Sequence, residues 1–376
     1  MEVVVGCYEQ VAFGFSVHPS DEDDGLWKLE PTFTHHGHTA SLTAVSVGTK
    51  YLATGSRDET IKLYDLTKRV EYGELQEHEG TITCLEFFGD HHLLSGAEDG
   101  NICLWGVKSW ECVKTLHAHK GRVTSFSVHP SGKLALSVGS DKTLRTWNLM
   151  KGRSAFVKNI KQIADLVLWS PKGDFYIVSR NNQVDVYKVE TASVVWTFSI
   201  PVRISSVRFI TESIVGVCGD YEKIHLYDVQ KQVCMCEFKA HDSRVKALHS
   251  SYWHGIHILL SASNDGYIKL WNIDLSHLEA VPVLLGEVNT TARLTCLTVH
   301  MSADAAQSLD SSSAKGRKRK KIKREEDVEH LEKMAVEMSE DCTAKTMPSQ
   351  ADAQVFSKCF KGQSKVKRKV KISSND

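Results

Sequence analysis

No apolar run in this 376-residue chain approaches the ~18 residues that a membrane-crossing helix needs, so no membrane contact of that kind is expected. Proline is scarce, seven residues against 24 glycines, a balance that suits tight turns between strands. Among ten cysteines there is no CxxC pair, and the closest spacing is Cys234-Met-Cys236. Several lie inside apolar runs, Cys84 in TITCLEF and Cys103 in NICLW, where a free thiol packs as a small hydrophobe. That usage fits a reducing cytosolic or nuclear setting. The opening MEVVVGCYEQ lacks a basic region and is not expected to act as a secretion signal. There is no GxxxxGK[ST] and no GxGxxG opening a helix, so nucleotide binding has no support. The histidine groups 35, 36 and 38, 91 and 92, and 254 and 257 lack acidic or thiolate companions at ligand spacing, so neither a metal nor a cofactor is expected.

What is present is a repeat. TGSRDETIKLYD (54–65), SGAEDGNICLWG (95–106), SVGSDKTLRTWN (137–148) and SASNDGYIKLWN (261–272) each carry a small hydroxyl residue, an Asp four residues on and an aromatic six beyond that. A histidine precedes each, His38, His78, His119 and His241, at intervals of 40, 41 and then three further repeats. Short β-branched runs alternate with turn signals at Pro130-Ser131-Gly132, Asp141-Lys142, Asp99-Gly100 and Asp265-Gly266. The period and pattern resemble WD repeats, in which each unit contributes one four-stranded blade.

Residues 160–200 and 201–240 keep the strand rhythm but lose the histidine and the hydroxyl, giving six repeats. A seventh is split: ARLTCLTVH (292–300) supplies one inner strand, and residues 3–17 with the stretch around Trp27–Phe33 supply the others. The expectation is an all-β, seven-bladed propeller over residues 1–300, its seventh blade closed by both ends of that span, because closure removes exposed sheet edges. Residues 301–376 read as a separate, disordered basic tail.

Two constellations stand out. The first is the tetrad, His38/Thr54/Asp58/Tyr64, His78/Ser95/Asp99/Trp105, His119/Ser137/Asp141/Trp147 and His241/Ser261/Asp265/Trp271. A Ser-His-Asp hydrolase uses these residue types, but once and not four times at a 40-residue period, so no catalysis is expected. Tyr64 puts a phenol where the other tetrads have an indole, and blade one is expected to be weaker. The second is arginine immediately before the inner strand, at Arg122, Arg203, Arg244 and Arg293, where blades one and two have Ser41 and Thr81. In a propeller this position borders one mouth of the central channel. Four guanidinium groups there could dock an acidic peptide or an RNA backbone; the position equally suits arginine as ordinary solvated surface.

The zero net charge hides an asymmetry, for residues 1–300 are net acidic by five and residues 301–376 net basic by five. Lys315, Arg317, Lys318, Arg319, Lys320, Lys321, Lys323 and Arg324 form one basic cluster; Lys365, Lys367, Arg368, Lys369 and Lys371 form another. Such clusters read as nuclear or nucleolar targeting or nucleic-acid contact. Between them Val328, Leu331, Met334 and Met338 recur at helical spacing, suggesting a short helix over 325–339 that forms on a partner.

Longer strings are more specific: HTASLTAV (38–45), AHKGRVTSFSVHPSGKLALSVGSDKTLRTWNL (118–149), GRSAFVKNIK (152–161), RISSVRF (203–209), CEFKAHDSRVK (236–246) and ARLTCL (292–297). Together they resemble the p21-activated-kinase (PAK)-interacting WD-repeat proteins, relatives of a fungal Mak-type factor for large ribosomal subunit assembly. The resemblance implies that each tetrad is a buried network running from indole to hydroxyl to imidazole to carboxylate. It further implies a non-catalytic, monomeric scaffold of the nucleus and nucleolus with no small-molecule substrate. Its implied partners are pre-ribosomal proteins, rRNA and a PAK-family protein kinase that it restrains. A cytoplasmic kinase-inhibitory adaptor without a ribosomal role is the alternative.

Overall fold

The computed structural model describes residues 1–19 and 26–301, and everything below concerns these. They form seven four-stranded antiparallel sheets with no helix among the described residues. The inner strands are Leu42–Val47, Ile82–Phe88, Val123–Val128, Leu166–Trp169, Ile204–Phe209, Val245–Trp253 and Leu294–His300, in blades one to seven. The chain is thus a seven-bladed β-propeller.

Position in the blade explains the sequence texture. The inner strand Leu42–Val47 alternates buried and partly exposed residues. The second strands are sandwiched between neighbouring blades and are buried on both faces, throughout Leu134–Gly139 and Ile214–Gly219. That is why LALSVG and IVGVCG read as unbroken small and apolar runs. The core accordingly lies between blades: Ala53, Ile61 and Leu75 of blade one pack with Ile82, Leu93 and Trp105 of blade two. Each fully buried aliphatic side chain contributes roughly 1.5–3 kcal/mol relative to exposure. Tight turns complete the hairpins. Gly100 sits at φ +83°, and a Cβ there would lie 2.4 Å from the His119 carbonyl.

The seventh sheet joins distant parts of the chain. Leu294–His300 pairs antiparallel with Glu2–Cys7, which continues to Ala12–His18 and Lys28–His35. Val3 faces Val299 and Val5 faces Leu297 across this seam, and Val3, Val4 and Val5 are wholly buried. The Thr295 hydroxyl bonds the Gly6 carbonyl at 3.0 Å and the Leu42 carbonyl at 2.8 Å, fastening blade seven to blade one. Deleting residues 1–18 removes two strands of blade seven and opens the ring. We expect this to abolish the cooperative thermal transition in scanning calorimetry; a transition within a few degrees of the intact chain would show that the seam is dispensable.

Candidate functional site

The four tetrads are built alike. Nδ1 of His38, His78, His119 and His241 lies 2.9, 2.9, 2.9 and 3.1 Å from the carboxylates of Asp58, Asp99, Asp141 and Asp265. Nε2 of each lies 2.8 Å from Thr54, Ser95, Ser137 or Ser261. The indole N–H groups of Trp105, Trp147 and Trp271 donate to those serines at 2.8, 2.9 and 3.0 Å. The serine oxygen accepts from the indole, so its own hydrogen points to Nε2, and the neutral imidazole donates from Nδ1 to the carboxylate. Burial keeps His38 and His119 below the usual histidine range, in agreement with that neutral form. All four hydroxyls are completely buried, so no substrate can reach them.

The carboxylates do more than orient histidine. Each also accepts the backbone N–H of the residue after the histidine: Thr39, Glu79, Lys120 or Asp242. In blades one and three, Thr60 and Thr143 hydroxyls add bonds of 2.7 Å, members that the Asp-x-Thr spacing could have disclosed. Burial alone would raise these acids, but the hydrogen bonds outweigh it and hold all four at about 2. Tyr64 supplies no indole; its buried ring stacks on His35 at 4.2 Å.

The degenerate blades fill the same volume with apolar groups. Counting two residues beyond the strand partner of the aromatic, Val178 and Val217 stand where the tetrad hydroxyls stand. Tyr187 stacks on Tyr176 at 4.7 Å, and Tyr227 stacks on Phe198 of the neighbouring blade at 4.0 Å.

Arg122, Arg203, Arg244 and Arg293 all border one mouth of the channel, each at the start of an inner strand, and their side chains are more than half exposed. None is a bare charge. Arg122 lies 3.5 Å from Glu98, Arg203 2.6 Å from Asp165, Arg244 4.0 Å from Asp220 and Arg293 2.8 Å from Glu9. Asp165 occupies the arginine position in blade four, a departure that aligning that blade on its inner strand would have revealed. In three of the pairs the carboxylate comes from the preceding blade, whereas Glu9 belongs to the hairpin of blade seven itself. Arg293 also covers the Tyr8 ring at 4.2 Å. The rim is a ring of exposed ion pairs, each guanidinium retaining donors toward solvent. The basic clusters Lys315–Arg324 and Lys365–Lys371 and the helix expected over 325–339 lie outside the described residues.

Propeller, tetrads and period together define a WD-repeat protein. The WD domain, G-beta repeat family matches residues 29–65, 69–106, 110–148 and 232–272, the four stretches that carry the tetrads. The chain is 57% identical to a "p21-activated protein kinase-interacting protein 1-like" of Danio rerio, over 82% of this chain and 83% of that one. It is 31% identical to "Shk1 kinase-binding protein 15" of Schizosaccharomyces pombe, over 81% and 85%. It is 34% identical to "Protein MAK11" of Saccharomyces cerevisiae, over 51% and 52%. The chain belongs to the family of p21-activated protein kinase-interacting protein 1.

Asp141→Ala leaves a buried imidazole N–H and the Lys120 N–H without their acceptor, and should cost about 1–3 kcal/mol at neutral pH. The sign of the pH dependence follows from the depressed carboxyl. Its contribution is complete above the unfolded value of ~3.9 and is lost as pH falls through about 2. Chemical denaturation should therefore show the variant and parent converging between pH 4 and 2. Equal stability at pH 7 would overturn this role for Asp141.

Proposed function

We propose that this protein is a non-catalytic scaffold that binds and restrains a p21-activated-type protein kinase and also acts in nucleolar assembly of the large ribosomal subunit. The observation that carries the reading is the 57% identity, over most of both chains, to a protein whose name states kinase interaction. The fission-yeast relative's name points the same way. The ribosomal half is supported by the likeness to MAK11 and by the two basic clusters beyond residue 301. A tetrad whose hydroxyls are sealed from solvent supports binding rather than catalysis. Comparing what co-purifies with the tagged full chain from nuclear and cytoplasmic fractions tests both halves. Kinase alone, with no pre-ribosomal protein in either fraction, would leave only the cytoplasmic adaptor.

Within this reading the arginine rim is the docking face. An incoming phosphate or carboxylate would share or replace the carboxylates of Glu98, Asp165, Asp220 and Glu9. Exposed ion pairs stabilise a fold little. Changing Arg122, Arg203, Arg244 and Arg293 together to glutamine should therefore leave the melting temperature nearly unchanged. It should sharply reduce co-sedimentation with pre-ribosomes and make the residual binding less salt-sensitive, since fewer counterions are released. Undiminished co-sedimentation at every salt concentration would place the binding face elsewhere.

The segment beyond the propeller is proposed to set localisation. Truncation after His300 should leave the cooperative melt in place while abolishing nucleolar enrichment in imaging of the tagged protein. A truncated chain that still accumulates in nucleoli would assign localisation to the propeller's partners.

A further inference from the structure

The opposite mouth of the channel carries a different chemistry. Counting five residues from the start of each inner strand reaches a polar side chain, Ser46, Glu86, Ser127, Ser170, Arg208, His249 and Thr298, with Ser170 just past the four-residue strand Leu166–Trp169. Several latch one blade to the next. Ser46 accepts the Phe87 N–H at 3.0 Å, Glu86 the Val128 N–H at 3.1 Å and Ser127 the Trp169 N–H at 3.3 Å, while Arg208 Nε donates to the Leu248 carbonyl at 3.0 Å. A serine suffices for such a latch. Glu86 and Arg208 perform it with one atom each and have functional groups to spare.

Those groups line a cavity of about 230 Å³, bordered also by His249, Ser127, Ser250, Pro130 and Pro171. Glu86 and Arg208 feel each other's charge, but no ion pair joins them. His249 is held neutral by burial and by the Arg208 charge, at about 3, and its sealed Nδ1 has no hydrogen-bond partner. Arg208 is partly exposed to the channel, and with Nε spent on the Leu248 carbonyl its other N–H groups are left for whatever enters the space. One guanidinium and no lysine line the space, which matches a monoanion better than a phosphate dianion.

We propose that this cavity is a carboxylate-binding site, distinct from the arginine rim, in which Arg208 supplies the fixed charge and protonated Glu86 donates a hydrogen bond to the bound carboxylate. The carboxylate belongs either to an acidic side chain of a docked peptide or to a small free acid.

Glu86 is suited to share a proton. Burial pushes its carboxyl up to about 7, against the Val128 N–H and the Arg208 charge. Few other groups titrate near it. Of the strands packed on Ile82–Phe88, Leu42–Val47 and Val123–Val128 carry no ionisable side chain. Tyr51 on Tyr51–Ser56 packs with Tyr72 and Trp110, and His92 on His92–Ala97 stacks on Phe88. Cys84, on Ile82–Phe88 with Glu86, is pushed up to about 12 by burial. Across the channel stand Arg208 and neutral His249. Glu212 near the mouth is engaged by the Ser170 hydroxyl and the Lys172 N–H.

The test is calorimetric titration of the full chain with a capped Gly-Gly-Glu-Gly-Gly peptide, its glutamine counterpart, and glutarate. The glutamate peptide or glutarate should bind saturably and the glutamine peptide should not. Whichever carboxylate probe binds identifies the source. Because the bound form needs Glu86 protonated, affinity should fall about tenfold from pH 6 to pH 8. Glu86→Gln should retain binding, its amide donating in place of the acid, and lose the pH dependence. Arg208→Gln should abolish binding. If that variant does not fold, the pH profile of Glu86→Gln decides alone. Absence of binding by both carboxylate probes, equal binding of the glutamine peptide, or an unaltered pH profile in Glu86→Gln would overturn the proposal.

Discussion

A neutral imidazole has one donor and one acceptor, and when it is buried both must be satisfied. In this propeller that requirement is met four times by a carboxylate and a hydroxyl from two other places in the chain. The carboxylate comes from the turn between the second and third strands, the hydroxyl from the second strand, and the histidine from the connection arriving from the previous blade. One side chain therefore fixes the crossing between blades to the interior of the next blade. Because the carboxylate also takes a backbone N–H in that crossing, the connection has little freedom left. A fully satisfied polar network of this kind rigidifies its surroundings, and the alignment of inner strands around the channel rests on it. The two surfaces that bear chemistry, the ion-paired rim and the polar cavity, inherit their geometry from those strands.

Blades four and five show what replaces the network. With Val178 and Val217 at the hydroxyl positions, the same space is held by ring stacking, partly across the blade boundary through Phe198 and Tyr227. Ring contacts specify position less sharply than a chain of hydrogen bonds does. Here blade four is also tied to blade five by Arg203 and Asp165, with the carboxylate taking the Asn181 N–H as well. The pair is exposed, so it orients the Arg203 guanidinium at the rim more than it stabilises the blade.

Much of this was legible in the residues. The tetrads recur at fixed spacing, so His38, Asp58, His119 and Asp141 could be placed by counting, and the seven-blade architecture followed from the period. The rim was legible as a row of arginines but not as ion pairs. The carboxylates come from other hairpins at separations that range from 24 residues for Glu98 to 284 for Glu9, and no local pattern links them. Asp165 was missed because an acidic side chain stands where the other blades have arginine, so it does not join the row that drew notice. Glu86, Arg208 and His249 were missed for another reason. In a strand that alternates, a polar residue reads as solvent-facing, and only the closed ring shows that the solvent side of an inner strand is a narrow channel.

The seam of blade seven also sets an order of events. Residues 2–18 leave the ribosome long before residues 294–300, the strand that covers their inner edge. At about 5–20 residues per second, synthesis of the intervening chain takes roughly 15–60 s. For that interval Val3, Val4 and Val5, wholly buried in the finished ring, stand on an unpaired strand edge of the kind that recruits other chains. Every new molecule therefore passes through a period in which the strands of residues 2–18 have been made and the sheet that holds them cannot yet close.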